Sequence, residues 1–214
     1  MKLDERLTAV LEEIKGSRRL IDVGADHGKL CVSAVLKGYA ELAVAVDISE
    51  KSLSKAKILA KDKGVEDKMD FVVRDGADYF WTEDDSVVIA GMGGTEILHI
   101  IDGKVQPEKL VLVAHQDAPI LRRGLNGMQW YANKDYVVFC GGKYYNVICV
   151  EKDCGKPFDE KEIFVGKNTP SSAFFVDSLK LRLSGIGRYY SQSVSEELKR
   201  EKEIVESVLS FYGN

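Results

Sequence analysis

The stretch Asp22-Val23-Gly24-Ala25-Asp26-His27-Gly28 decides how the rest of the chain is read. It closes a short apolar run, Arg19-Leu20-Ile21-Asp22-Val23, and opens a helical pattern from Lys29 to Lys37. A glycine turn between a buried strand and a helix lets backbone approach a ligand closely, and the helix start offers N–H donors. The dinucleotide pattern Gly-x-Gly-x-x-Gly is absent, because Asp26 stands at the second glycine's place. A carboxylate there repels a pyrophosphate and suits a ligand bearing an ammonium group. A tight strand-to-helix turn without a ligand is the competing reading.

On either side the same rhythm continues. Leu3, Leu7, Val10, Leu11 and Ile14 predict an amphipathic helix over 3–15. Four further apolar runs, 42–47, 69–73, 86–90 and 109–114, predict buried strands. Helical patterns follow at 49–63, 95–101 and 120–128. The pattern then changes: Tyr136–Cys140 and Tyr144–Val150 flank Gly141-Gly142, a hairpin signal. Five βα-type units and a closing antiparallel hairpin predict a Rossmann-like α/β sheet, largely parallel and buried on both faces. After Pro157 the sequence predicts two helices, 172–183 and 195–212, separated by Ser184-Gly185-Ile186-Gly187. The expected division is a sheet domain, 1–156, and a small helical pair, 157–214.

Composition narrows the classes. The chain has 214 residues, 45% hydrophobic and 30% charged, with net charge -4. That profile excludes a disordered chain and a disulfide mini-protein. No apolar run approaches the ~20 residues of a membrane span, and Met1–Arg6 lacks the apolar core of a signal peptide, so no membrane association and a cytoplasmic location are expected. Cys31, Cys140, Cys149 and Cys154 show no Cys-x-x-Cys spacing, so neither zinc nor any other metal is expected. Residues 1–156 hold 22 basic and 25 acidic groups, and 157–214 hold 8 and 9, so neither part binds nucleic acid by bulk charge. Any such partner needs a localised patch and recognition of shape.

Three more motifs fall at predicted strand ends. Asp47 lies 23 residues after Gly24, where an acid can accept two ribose hydroxyls; a helix N-cap region is the alternative. Arg74-Asp75-Gly76-Ala77 follows the third strand, where a carboxylate can accept from an adenine amino group, with a solvated turn as the alternative. Ile89-Ala90-Gly91-Met92-Gly93-Gly94-Thr95 exposes backbone at the carboxyl edge of the sheet, and no Lys-Ser/Thr pair follows to make it a phosphate loop.

Together these motifs carry a resemblance. Leu3-Asp4-Glu5-Arg6-Leu7, the Asp22–His27 turn and above all the Ile89–Thr95 loop resemble the bacterial tRNA adenine N1-methyltransferases that modify position 22. Leu121-Arg122 and Ile163–Gly166 add to it, and the resemblance spans nearly the whole chain. It implies a class I methyltransferase fold, S-adenosyl-L-methionine as methyl donor and tRNA as substrate. The donor site would then comprise Asp22, Gly24, Ala25, Asp26, Gly28, Asp47, Ile48, Asp75, Gly76, Gly91, Met92 and Gly93. Asp26, His27 and His115 are the candidate catalytic residues.

For RNA contacts, Arg122, Arg123, Lys143 and Tyr145 have the required chemistry, as does Arg188-Tyr189-Tyr190. Solvated charges beside core aromatics are the alternative, and the helical pair is a candidate homodimer contact. The family usually has Gln-Pro-Asn after its fifth strand, where this chain has Val113-Ala114-His115, and Tyr-Glu where this chain has Tyr145-Asn146. Those departures keep open another RNA or small-molecule acceptor, or a non-catalytic module that binds the cofactor or RNA.

Overall fold

A computed structural model describes residues 1–189 and 195–212. Seven strands form one sheet: β1 Ser17–Val23, β2 Ala40–Asp47, β3 Met69–Val73, β4 Ser86–Met92, β5 Lys109–Ala114, β6 Ala132–Cys140 and β7 Lys143–Glu151. Their order is β3-β2-β1-β4-β5-β7-β6. The pairs among β1–β5 are parallel, whereas β7 runs antiparallel to both β5 and β6. The hairpin turns at Gly141-Gly142, both at positive φ, as a two-residue turn requires. The expected Rossmann-like sheet with a closing antiparallel hairpin is therefore present.

Both faces of the sheet are buried, which explains the unbroken apolar runs. Leu20, Ala43, Ala45, Val88, Val111, Val113, Val147 and Cys149 face α1 (Glu5–Glu13), α2 (Lys29–Leu36) and α3 (Glu50–Asp62). The alternate residues Ile21, Val23, Val44, Val46, Val87, Ile89, Leu110, Leu112 and Ile148 face α4 (Gly94–Ile101) and α5 (Ala118–Gly127). The period of two assigns successive residues to opposite faces. Asp4 caps α1 by accepting from the Leu7 amide at 2.7 Å, and Ser49 caps α3 through the Ser52 amide at 3.2 Å.

The C-terminal part differs from expectation in two respects. A short helix, α6 (Glu160–Val165), precedes the pair and is fixed by a capping box between Asp159 and Glu162. The helix α7 spans Phe175–Tyr189 and runs through Gly185 and Gly187, so these glycines do not separate the two long helices. Ile186, 1% exposed, anchors that last stretch. With α8 (Glu196–Tyr212), these helices build a third cluster: Val137, Phe164, Val165, Phe175, Leu179, Ile204, Val205 and Val208. Among the described residues the four cysteines are unpaired, and no helix is long and apolar enough to cross a membrane.

One buried ion pair locks this end to the sheet. Arg122 of α5 donates from Nε and Nη2 to Asp135 of β6 at 2.9 and 3.2 Å. Nη2 also donates to Asn146 Oδ1 at 3.0 Å, and Nη1 to the Ile163 carbonyl at 3.2 Å. Replacing Arg122 with Met leaves Asp135 buried without its counter-charge, which should cost about 3–5 kcal/mol in denaturant unfolding. Adding Asp135→Asn should recover a substantial part of that loss.

Candidate functional site

The strand order reverses direction between β1 and β4, and open α/β sheets bind ligands in the crevice at such a point. The turn after β1 is tied to the end of β2: the Gly24 and Ala25 amides both donate to the Val46 carbonyl, at 2.8 and 3.1 Å. Gly24 also packs beneath Met92, since a Cβ there would come 2.5 Å from Met92 Cε. Gly28, at the start of α2, lies against Ala56 of α3.

Asp47 organises the rim. Its Oδ2 accepts from the Asp26 amide and its Oδ1 from the Ser49 amide, each at 2.8 Å. Each oxygen keeps a further lone pair for an outside donor. Ile48 beside it is 74% exposed, an apolar side chain at the lip. The Arg74 amide donates to the Asp47 carbonyl at 3.0 Å and brings the loop after β3 alongside. There Asp75 accepts from the Ala77 amide at 2.9 Å, and Gly76 rests on the Val23 side chain, leaving no room for a Cβ.

Across the crevice, β4 carries a register shift between Ala90 and Met92, with Gly91 at φ +85°. Bulges of this kind re-aim backbone beside functional sites. The bulge is latched to the loop after β5: the His115 amide donates to the Met92 carbonyl at 3.2 Å, and the Gly94 amide to the Gln116 carbonyl at 3.0 Å. Gly93 packs against the Gln116 side chain. His115 is exposed at this edge, and Asn146 pairs with Ala114, so Tyr145 stands at the same end of the sheet. Asp22, Gly24–Asp26, Gly28, Asp47, Gly76, Gly91–Gly93, His115 and Tyr145 are thus brought to one edge.

Other expected residues stand differently. His27 turns toward α3, with Lys55 Nζ 3.0 Å from its Nε2 and Asp26 Oδ2 3.5 Å from its Nδ1. Arg122 cannot contact RNA as expected: it is 1% exposed, and its donors are committed to Asp135, Asn146 and the α6 carbonyls. Arg123 is exposed, pairs with Glu197 of α8, and lies 5.1 Å from the centre of the Phe164 ring. Lys143 is exposed at the hairpin tip. Arg188 and Tyr189 belong to the end of α7, and Tyr190 lies outside the described residues. Arg6 of α1, which no motif marks as a site residue, reaches the same edge: a Cβ on Gly91 would lie 3.5 Å from its Nη1.

Asp22 sits at the floor of the crevice, 5% exposed, with the Cys31 thiol donating to it at 3.7 Å. Burial pushes its carboxyl up to about 7; the Cys31 contact opposes the shift, the Asp47 charge reinforces it, and the Arg6 charge opposes it. The folded chain therefore holds this proton up to about pH 7, whereas an unfolded carboxyl releases it near 3.8. Stability through this group falls as pH rises from about 4 to about 7 and is flat above. Asp22→Asn removes that proton linkage, so the variant should gain thermal stability over the parent at pH 8, and the gain should shrink at pH 5. Melting curves at both values measure it.

A methyltransferase-domain family model matches residues 3–148. The Bacillus subtilis (strain 168) protein named tRNA (adenine(22)-N(1))-methyltransferase is 31% identical over 156 residues, 71% of this chain and 66% of that protein. A Mycoplasma pneumoniae relative is 35% identical over 135 residues and is covered over 62% of its length. The chain thus spans just under two thirds of these curated relatives. Among solved structures, the B. subtilis m1A22 tRNA methyltransferase TrmK superposes with TM-score 0.77 at 26% identity, over 98% of this chain and 96% of that one. Mycoplasma capricolum TrmK, solved with S-adenosyl-homocysteine, shares the fold, with TM-score 0.86 at 20% identity over 98% and 99%. With the match running from the first helix to the closing hairpin, the chain belongs to the methyltransferase-domain family.

Proposed function

We propose that the chain is an S-adenosyl-L-methionine-dependent methyltransferase that methylates N1 of adenosine 22 in tRNA, in the cytoplasm. The observation that carries this reading is the donor set of the crevice. Asp26 and Asp47 flank the turn after β1 and would repel a polyphosphate, while they suit a cationic nucleoside with an amino-acid tail. The acceptor is inferred from the name of the B. subtilis relative.

S-adenosyl-L-methionine supplies an already activated methyl group, so positioning furnishes much of the rate. In this reading Asp47 accepts the ribose hydroxyls through the lone pairs its backbone donors leave free. Asp75 accepts from the adenine amino group, with Ile48 and Gly76 against the ring. Gly24, Ala25 and Gly28 let backbone close around the tail, Asp26 balances its ammonium, and Asp22 offers a carboxyl oxygen as acceptor at the floor. The bulge at Gly91, Met92 and Gly93 borders the reacting centre.

Adenine N1 attacks with its own lone pair and needs no general base. The modified base becomes cationic, and Asp26 and His115 are the groups proposed to balance or accept around that charge, while His27, engaged by Lys55 and Asp26, would hold the turn. Tyr145 would stack on the target base, with Lys143 and Arg123 on phosphates. Residues 1–156 would form the donor domain, and 157–214 a helical appendage. Exposed Leu181 and Phe211 suit that appendage to a homodimer contact.

Unmodified tRNA incubated with enzyme and S-adenosyl-L-methionine should gain N1-methyladenosine, read by nucleoside mass spectrometry, and tRNA with guanosine at position 22 should not. A second reading, methylation of another RNA or a small molecule, is favoured by His115 at the fifth strand's end. It predicts methyl incorporation into a total RNA or metabolite pool but not into that tRNA. Replacing Asp47 with Ala should weaken S-adenosyl-homocysteine binding about 10- to 100-fold in calorimetry, through loss of charge-assisted hydrogen bonds.

A further inference from the structure

Gln116, in the loop after β5, lies outside the residues assigned above. Its backbone is pinned on both flanks: the Gly94 amide donates to its carbonyl at 3.0 Å, and the His115 amide donates to the Met92 carbonyl at 3.2 Å. Asp117 after it takes the left-handed region at φ +58°, and Gly94 lies so close to the Asp117 carbonyl that no Cβ fits there. Held in this way, the Gln116 side chain lies against the β4 bulge: a Cβ on Gly93 would come 3.2 Å from its Nε2 and 3.4 Å from its Cγ. The residue is exposed, and its amide makes no side-chain hydrogen bond among the described residues. At the other end of the bulge, a Cβ on Gly91 would lie 3.5 Å from Arg6 Nη1, and the Arg6 guanidinium is 5.3 Å from the centre of the Tyr145 ring. A flat ligand laid on the bulge would therefore have Tyr145 toward one end and the Gln116 amide toward the other.

We infer that Gln116 selects adenine as the target base by pairing with its N6 amino group and N7, an inference that rests on the acceptor reading above. A primary amide has an oxygen that accepts and a nitrogen that donates. That pair matches the N6–H donor and the N7 acceptor of adenine in two hydrogen bonds. The reaction leaves this edge free, because N1 lies on the other side of the amino group and keeps its lone pair for the methyl group. Guanine presents acceptors at both O6 and N7, so the amide oxygen would face a second oxygen, and a pyrimidine has no N7. The contact also grows as the reaction proceeds. When N1 takes the methyl group, the ring gains a positive charge shared with N6, and the hydrogen bond from N6 to an acceptor strengthens with it. A phosphate of the RNA is better met by a charged side chain such as the exposed Lys143.

A tRNA with 7-deazaadenosine at position 22 keeps N1 and the amino group and loses only the N7 acceptor, so it isolates the contact. Single-turnover methylation of this tRNA and of ordinary tRNA is compared for the parent chain, Gln116→Leu and Gln116→Glu. The ratio of the two rates should be about 3- to 10-fold more in favour of adenosine for the parent than for either variant, the worth of one hydrogen bond. Comparing ratios cancels the effect of the extra carbon on the basicity of N1. Gln116→Leu should also lose about 10- to 100-fold on ordinary tRNA. Gln116→Glu keeps an acceptor for N6 and has no donor for N7, so it should lose less on ordinary tRNA and yet show the lowered ratio. Equal ratios in the parent and the variants would overturn the assignment. So would a loss of S-adenosyl-homocysteine affinity in calorimetry that matches the loss of rate, which would place Gln116 on the cofactor. Should Gln116→Leu fail to fold, Gln116→Glu carries the test, since loss of the donor must still lower the ratio. A parent chain that binds S-adenosyl-homocysteine and methylates neither tRNA overturns the acceptor reading itself, and this inference with it.

Discussion

The arginine–aspartate pair at the heart of the C-terminal half sets the geometry that everything after β5 obeys. Two charges removed from water are tolerated only when every remaining donor and acceptor is matched. Arg122 meets that demand by drawing on β6, β7 and α6 at once. Asp135 further accepts from the Lys167 amide at 3.2 Å, and Gly166 passes so close that a Cβ would strike the guanidinium. The approach of the helical appendage is therefore dictated by polar satisfaction, with the apolar cluster of Val137, Phe164 and Val205 filling in around it. Because α5 begins directly after the loop bearing His115, the same pair fixes one wall of the crevice.

The crevice itself is held by backbone more than by side chains. Val46 and Asp47 tie together the loops after β1, β2 and β3, and the Met92 and Gln116 carbonyls tie those after β4 and β5, so each side of the crevice is held by its own network. Such a frame is rigid before any ligand arrives, which suits chemistry that depends on alignment. Its charge is lopsided, with acids clustered beside the turn after β1. Asp22 holds its proton near neutrality because it is buried in that company.

The strands were legible because burial on both faces writes continuous apolar runs, and the hairpin because Gly141-Gly142 admits few other turns. The crevice was legible where a motif sits at a strand end, as at Asp22–Gly28 and Ile89–Thr95. Arg122 was misread because two adjacent arginines look like a surface patch, and the partner that buries one of them lies on another element. Gly185 and Gly187 look like helix breakers, each costing about 1 kcal/mol against alanine; burial of Ile186 between them outweighs that cost. The α6 helix had a readable signal, Asp159 three residues before Glu162, but its six residues are too few to show a period. Arg6 lay inside a motif of the resemblance, Leu3–Leu7, but its place at the crevice depends on how α1 packs across the finished sheet.

The strand order has a consequence for how the protein is made. The last strand in the chain, β7, lies between β5 and β6, so β6 touches the sheet only through a strand synthesised after it. A nascent chain that stops short of Lys143 carries β5 as an uncovered apolar edge, the template on which strands from other chains add. Completion of the sheet beyond β5 therefore waits for residues 143–151 to emerge from the ribosome, and the two-residue turn at Gly141-Gly142 shortens that window by bringing β7 beside β6.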